Sequence, residues 1–272
     1  MFIAFIILAP FILYAFVCER EKNILEQEVS ELRAQIPPEP QKRITLDSIN
    51  KLPPLVREYL KSAGVIDAKP IQLTALTQTG AIRQSTATPW MYFDSTQYYV
   101  TAIPAFIWSA VVRFLYILPV HGKDSLIHRR GHMNIRIAGL FPLVNESGTE
   151  VDQGNMLRYL SEMPWFPTAF LSDNITWKSV GTDKVEATLK LGSSRVSGVF
   201  TFNGKHKITL FETERYFTKG KGLYSLEKWK TTFENYKQIQ SFTIPTKGSA
   251  IWQFDQGELE YVRMKVIEAK YE

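Results

Sequence analysis

The stretch Asp152-Gln-Gly-Asn-Met-Leu-Arg-Tyr-Leu-Ser-Glu-Met-Pro-Trp-Phe-Pro-Thr-Ala-Phe-Leu171 decides how this chain folds. Asp152 is a candidate N-cap, and the apolar residues after it recur on one helical face, at Met156, Leu157, Leu160 and Met163. Pro164 and Pro167 lack amide hydrogens and disfavour helix in the residue before each, so the chain should bend around Trp165-Phe166 and resume as a short helical turn. We therefore expect a proline-broken helix that covers one face of a sheet.

On both sides of this helix, the sequence contains short runs of alternating apolar and polar residues, separated by turn residues. Upstream, the runs predict strands at 71–79, 81–84, 90–94, 97–101, 106–120 and 125–138, with a break at Gly80 and a loop at 139–144. Downstream they predict strands at 175–180, 184–191, 195–202, 205–217, 225–236, 241–244, 250–254 and 258–270. Asn203-Gly204 is a strong hairpin signal. Parallel pairing needs crossovers that this spacing does not provide, so the sequence predicts an α+β fold with an antiparallel meander.

The N-terminal region divides into an anchor and a stalk. Residues 1–17 are an apolar run without charge, which predicts a single-pass membrane anchor over residues 1–18. A cleaved signal peptide and a lipoprotein signal acylated at Cys18 are the alternatives. Residues 19–43 form a charged helical stalk and a proline-rich linker, in which Leu25, Val29, Leu32 and Ile36 follow an a/d spacing. This seam suggests a homodimer through residues 19–36, or else a solvated helix.

A single α+β domain is expected over residues 44–272. It should open with a helix that has Pro53 and Pro54 in its first turn and Gly64 at its end. The chain carries 32 basic and 27 acidic residues, for a formal net charge of +5. The lysines are scattered rather than collected on one arm, which favours a membrane partner over a nucleic acid. We expect the domain to lie outside the cytoplasm, although the charges around the anchor leave its orientation open.

The sequence offers little catalytic chemistry. It contains no G-x-S-x-G motif and no phosphate-binding or dinucleotide-binding glycine loop, so we predict no cofactor. His128 and His132 are four residues apart, but no third ligand has metal-site spacing, so we predict no metal. An enzyme that uses Glu162, Asp152 or His132 for acid/base work is the alternative. Helix capping by Asp152 and an ion pair between Arg158 and Glu162 are the competing structural explanations.

The central stretch also resembles a known family. Glu150-x-Asp152-x-Gly154 followed by Arg158-Tyr159-Leu160-x-Glu162-x-x-Trp165-x-Pro167-x-Ala169 is similar to the hallmark of an uncharacterised bacterial family of membrane-anchored proteins, a domain of unknown function. The similarity extends from about Leu52 to the C-terminus and departs from the pattern at Asn155, where an acidic residue is expected. The strand, helix, strand order looks like lipoprotein carriers, which implies a strongly curved half barrel closed by the helix.

This resemblance leads to the functional hypothesis. We expect a membrane-anchored, non-enzymatic domain that binds a lipid, another apolar ligand or a lipidated partner, with an envelope assembly scaffold as a further alternative. The candidate ligand-binding residues come from the central stretch and one upstream strand: Trp108, Arg158, Tyr159, Glu162, Trp165, Phe166 and Phe170. For Arg158, Tyr159 and Trp165 the alternative is a structural role, which the large area of aromatic side chains favours.

Overall fold

The computed structural model describes residues 2–38, 42–114, 118–220 and 222–272, with side chains from residue 13 onward. Its helices are α1 (Phe2–Arg33), α2 (Leu46–Ile49), α3 (Pro54–Ser62) and α4 (Thr149–Glu162), and two 3-10 turns follow α4 at Met163–Trp165 and Pro167–Leu171. The strands are β1 (Leu73–Ile82), β2 (Met91–Val100), β3 (Ala105–Phe114), β4 (Leu118–Ile127), β5 (Arg130–Ile137), β6 (Phe141–Ser147), β7 (Ile175–Ser179), β8 (Lys184–Leu191), β9 (Ser194–Phe202), β10 (Ile208–Gly220), β11 (Leu223–Ile239), β12 (Phe242–Phe254) and β13 (Gly257–Tyr271).

All thirteen strands form one antiparallel sheet in the order β6-β5-β4-β3-β2-β1-β13-β12-β11-β10-β9-β8-β7. The first six strands meander outward to one edge. The chain then crosses to the opposite edge through α4 and the two 3-10 turns, and the last seven strands meander back until β13 pairs with β1. The proline-broken segment is therefore the connection between the two edges of the sheet.

The sheet is strongly curled into a half barrel. Natural strands twist, and a sheet of more than about ten strands has to curl, split or flatten. Register shifts between Thr77 and Gln78 and between Ala250 and Ile251 are β-bulges, which increase local bending. The curvature leaves a concave face, which receives α4, and a convex face.

The α4 segment packs into the concave face, as its apolar spacing predicted. Every residue from Met163 to Phe170 is buried, and sheet and helix side chains share one core. The prediction that Asp152 caps this helix is wrong, because α4 begins at Thr149 with Gly148 as its N-cap. The prolines act as expected: regular helix ends at Glu162, and Pro164 and Pro167 each lie in the first turn of a 3-10 segment, where a missing amide costs little.

Helix α1 lies along the convex face. Leu32 of α1 packs with Leu73, Val100, Ala105 and Ile107 of the sheet, and the rest of the predicted a/d seam joins this cluster, at Leu25, Val29 and Ile36. The seam is thus occupied within one chain, so the predicted homodimer through residues 19–36 would need another surface. The side chains of residues 1–12 in the predicted anchor lie outside the described residues. Among the residues that are described, no helix has the length and hydropathy of a membrane span.

Several strand predictions need correction. Gly80 does not break its strand; it leaves room for Phe93, whose ring would lie 2.6 Å from a Cβ at that position. The predicted strand 125–138 is a hairpin, turned at His128 and Arg129 in left-handed backbone conformation. The predicted strands 241–244 and 250–254 belong, apart from Ser241, to one strand, β12, and the predicted loop 139–144 contains the start of β6. Residues 115–117, within the predicted strand 106–120, lie outside the described residues.

Candidate functional site

A buried ion network joins α4 to the floor of the concave face. Arg158 donates from Nε to Glu162 Oε1 at 3.0 Å and from Nη1 to Asp124 Oδ2 of β4 at 2.8 Å. Asn155, one turn earlier on the same helical face, donates to Asp124 Oδ1 at 2.6 Å and to the Ser125 carbonyl at 2.8 Å. The two carboxylates thereby share one guanidinium.

Strand β2 completes the network from the side of the sheet. Gln97 donates to Glu162 Oε2 at 2.8 Å, and the Tyr99 hydroxyl donates to the same oxygen at 2.9 Å. The Arg158 guanidinium lies 4.9 Å from the centroid of a Trp108 ring, a cation–π contact. Two buried polar atoms at this floor, Trp108 Nε1 and Gln97 Oε1, have no hydrogen-bond partner among the described residues.

The network fixes the protonation states of Arg158 and Tyr99. Burial by itself lowers the pKa of Arg158, but the charges of Glu162 and Asp124 outweigh it and raise that pKa well above its usual range. Burial raises the pKa of Tyr99, and the neighbouring Glu162 adds to the effect. Arg158 is therefore a permanent cation and Tyr99 a neutral donor, which suits anchoring better than proton transfer.

The aromatic candidates from the central stretch fill the core around this network. Phe166 stacks on Tyr99 with ring centroids 4.2 Å apart, and the Tyr159 hydroxyl donates to the Val100 carbonyl at 3.1 Å. Trp165 donates from Nε1 to the Pro245 carbonyl at 3.0 Å, while Phe170 stacks on Trp177 at 5.2 Å. The structure thus groups Trp108, Arg158 and Glu162 in one place and spreads the others through the interior.

Of the three residues in the acid/base alternative, His132 is separated from Asp152 and Glu162 by the sheet. Asp152 accepts a bond from the Gly131 amide at 2.6 Å and pairs with Arg130 at 3.0 Å, on the concave side. His132 is the next residue along β5, so its side chain points to the convex face, where it contacts Asn145 at 2.7 Å. His132 therefore does not meet Glu162 or Asp152. The described residues hold no group of three potential metal-binding side chains.

A second cation holds the other side of α4. Arg215 of β10 donates to the Gly154 carbonyl at 3.2 Å, and its guanidinium lies 4.8 Å from the Trp229 ring. Tyr261 accepts a bond from Trp229 Nε1 at 3.1 Å and so fixes this ring. With Arg158 on one side and Arg215 on the other, α4 is tied to both halves of the sheet.

Beyond the ion network, the concave face continues as an apolar surface. Phe93, Ala110 and Val112 form a small buried cluster, with partly exposed apolar side chains packed around it. We name this surface the concave apolar strip and define it by Ile82, Met91, Val112, Val120, Val262 and Met264, with Trp108 at its inner end. It crosses five neighbouring strands, about 19 Å at the usual strand spacing. A separate groove of about 460 Å³, lined by Ala68, Ser241 and Tyr271 among others, lies away from the strip.

Sequence reasoning missed half of the ion network. Asp124, Gln97 and Tyr99 come from strands far from α4 in the chain, and no local motif joins them. One signal was available: in β2, Phe93, Ser95, Gln97 and Tyr99 alternate onto one face. A glutamine in phase with buried aromatic residues indicates a buried polar partner across the core.

Comparison with known proteins gives similar solved structures and a family. A search of curated proteins found no match. Among solved structures, a LolA superfamily protein from Nitrosomonas europaea is similar with a TM-score of 0.44 and 10% identity, covering 80% of this chain and 93% of that one. A DUF1329 family protein from Desulfovibrio piger is similar with a TM-score of 0.42 and 9% identity, covering 80% of this chain and 90% of that one. A family model matches residues 42–264, and the chain belongs to the family of unknown function DUF6544.

Proposed function

We propose that this protein is a membrane-tethered, non-enzymatic domain that holds a lipid, another apolar ligand or a lipidated partner on the concave apolar strip. The observation that carries the proposal is the strip itself, whose apolar side chains, apart from the buried Val112, stay partly open to solvent on the inner face of a curled sheet. Contiguous apolar surface of this kind marks binding sites, because its burial by a ligand contributes about 25 cal/mol per Å².

The polar groups beside the strip favour an uncharged or weakly polar ligand group. Arg158 has both of its carboxylate partners in place, so it offers no spare charge to an anion. Among the described residues, the Trp108 donor and the Gln97 acceptor have no partner, and a hydroxyl, which can both accept and donate a hydrogen bond, matches the two together. An amphiphile with its tail along the strip would satisfy both features.

The tether is the apolar run of residues 1–17. Since α1 continues from this run onto the convex face, it does not cover the concave apolar strip. The acid/base alternative has weaker support, because His132 faces away from Glu162 and Asp152. The scaffold alternative would use the outer surface and leave the strip without a role.

The proposal is tested by placing a charge on the strip. Met264→Glu puts a carboxylate among apolar side chains, and we expect binding of a fluorescent phospholipid analogue by delipidated protein to weaken about tenfold or more, since an unpaired charge resists burial. Ile267→Glu is the matched control, on the same strand at a side chain that is 54% exposed, and it should bind normally. Equal binding by both variants, together with recovery of lipid-free protein in native mass spectrometry, would contradict the proposal.

A further inference from the structure

Exposed apolar side chains from two separate strand connections gather at one end of the sheet. Strand registers place the β1–β2, β3–β4 and β5–β6 connections at this same end. At the β5–β6 turn, Phe141 is 65% exposed and Leu143 is 60% exposed. Phe114 and Leu118 flank the β3–β4 connection and are also exposed. Scattered exposed apolar residues are ordinary, but their collection at one end of a sheet indicates an interaction surface.

Helix α1 leaves the sheet at this end. Its ion pairs run in order along the convex face, from Glu28 with Lys123 at 2.7 Å to Glu21 with Arg136 at 3.1 Å. Val17 then packs directly on Gly139 of the β5–β6 turn. Helical residues before Val17 project past the turn for about 22 Å at the usual rise. Their sequence is apolar, and Phe16, beside the turn, is 67% exposed.

Aromatic and basic side chains border the same end. The Trp90 ring, in the β1–β2 connection, lies between two guanidinium groups, with Arg83 at 4.4 Å and Arg263 at 4.6 Å from its centroid. Tyr92 nearby is exposed. Tryptophan and tyrosine with arginine are the residues that favour the interface between lipid tails and anionic headgroups.

The concave apolar strip opens at this end too. Ile82 is the last residue of β1 and Met91 the first of β2, and Val112 and Val120 lie within two residues of the β3 and β4 ends. A ligand that enters or leaves the strip by the shortest route therefore passes the exposed Phe114 and Leu118.

We propose that this end, the apolar rim defined by Phe114, Leu118, Leu140, Phe141 and Leu143, docks on an anionic lipid bilayer beside the emerging α1 and places the mouth of the strip against it. A bilayer is favoured over a protein partner because the exposed apolar side chains lie beside an apolar helix and are bordered by a tryptophan with two arginines. Docking stands independently of the proposed function, whereas passage of lipid between bilayer and strip rests on it.

Docking is tested with a polarity-sensitive fluorophore on single cysteines in full-length Cys18→Ser protein reconstituted in phosphatidylcholine vesicles with phosphatidylglycerol. A label at Leu143→Cys should shift its emission to the blue. A label at Ile103→Cys, an apolar side chain 41% exposed at the opposite end of the sheet, should emit as in water. Water-like emission at both positions would overturn the proposal. A blue shift at position 143 that appears without vesicles and grows with protein concentration would also overturn it, because the rim would then bind a second copy of this chain.

A second measurement separates docking from ligand binding. The double variant Phe141→Glu with Leu143→Glu should load fluorescent phospholipid from vesicles about tenfold more slowly, because both anchors become charged. Its affinity for the same lipid delivered from detergent should match wild type, since neither side chain belongs to the strip. Unchanged loading from vesicles would overturn rim docking while leaving ligand binding on the strip intact. Met264→Glu changes the strip and not the rim. If only this variant loses affinity for lipid delivered from detergent, the result bears on the proposed function and not on docking.

Discussion

Arg158 is the residue on which the attachment of α4 to the sheet most depends. Its guanidinium is the shared cation of two buried carboxylates, Asp124 and Glu162. The sequence predicted the pair with Glu162, since four residues on a helix bring two side chains together. It did not predict the pair with Asp124, which depends on where β4 passes beneath the helix.

Removing this cation should cost much of the stability of the domain. Arg158→Met leaves two buried carboxylates without a counter-charge, so the free energy of unfolding should fall by about 3–5 kcal/mol in urea denaturation. Lys61→Met breaks an exposed pair with Glu58 of similar length, 2.8 Å, and should cost less than about 1 kcal/mol. Similar losses for the two variants would show that the Arg158 network contributes little.

At the scale of secondary-structure elements, α4 can lie close to β5 because Gly131 of β5 has no side chain. A Cβ on Gly131 would lie 2.6 Å from the Val151 carbonyl oxygen of α4, and the Gly131 amide is the donor to Asp152. Glycine here permits the helix to lie directly on the strand. The sequence showed Gly131 only as an irregularity inside a predicted strand, because the approach of α4 is a tertiary contact.

Gly131→Ala should therefore push α4 away from β5. We expect a loss of about 1–3 kcal/mol in the free energy of unfolding, since the methyl group meets backbone atoms that cannot move aside cheaply. Gly204→Ala is the control, because a Cβ there meets nothing within 4 Å. A thermal unfolding midpoint for Gly131→Ala equal to that of the control would contradict the close approach.

At the scale of the whole molecule, the two faces of the sheet have different roles. The concave face receives α4 and carries the strip, and the convex face carries α1. His121 of β4 lies beneath α1 at the end near the rim, in a small pocket shared with Glu21 of α1 and with Lys123 and Arg136 of the sheet. Burial lowers the pKa of His121, while Glu21 partly opposes this and Arg136 adds to it.

This arrangement predicts a loss of stability in mild acid. The folded protein binds a proton at His121 less readily than the unfolded chain, whose histidine pKa is about 6.5. Stability should thus be complete above about pH 6.5 and fall as the pH drops from there through the lower folded pKa. His121→Gln should flatten this dependence in urea denaturation between pH 7.5 and 5.5. An unchanged slope in His121→Gln would contradict the prediction.

Residue patterns alone establish the local elements and the order of helices and strands along the chain. The alternation of strands, the amphipathic α4, its end before Pro164 and the hairpin at Asn203-Gly204 all follow from residue periodicity and backbone chemistry, which act over a few residues. Long-range contacts set which strands pair at the sheet centre, place His132 and Asp152 on opposite faces, and pack the α1 seam on its own sheet. Those outcomes depend on contacts between residues up to two hundred positions apart, as between Thr74 of β1 and Tyr271 of β13. Pairing of the first and last strands at the sheet centre brings such residues together, and no local pattern in the sequence records that pairing.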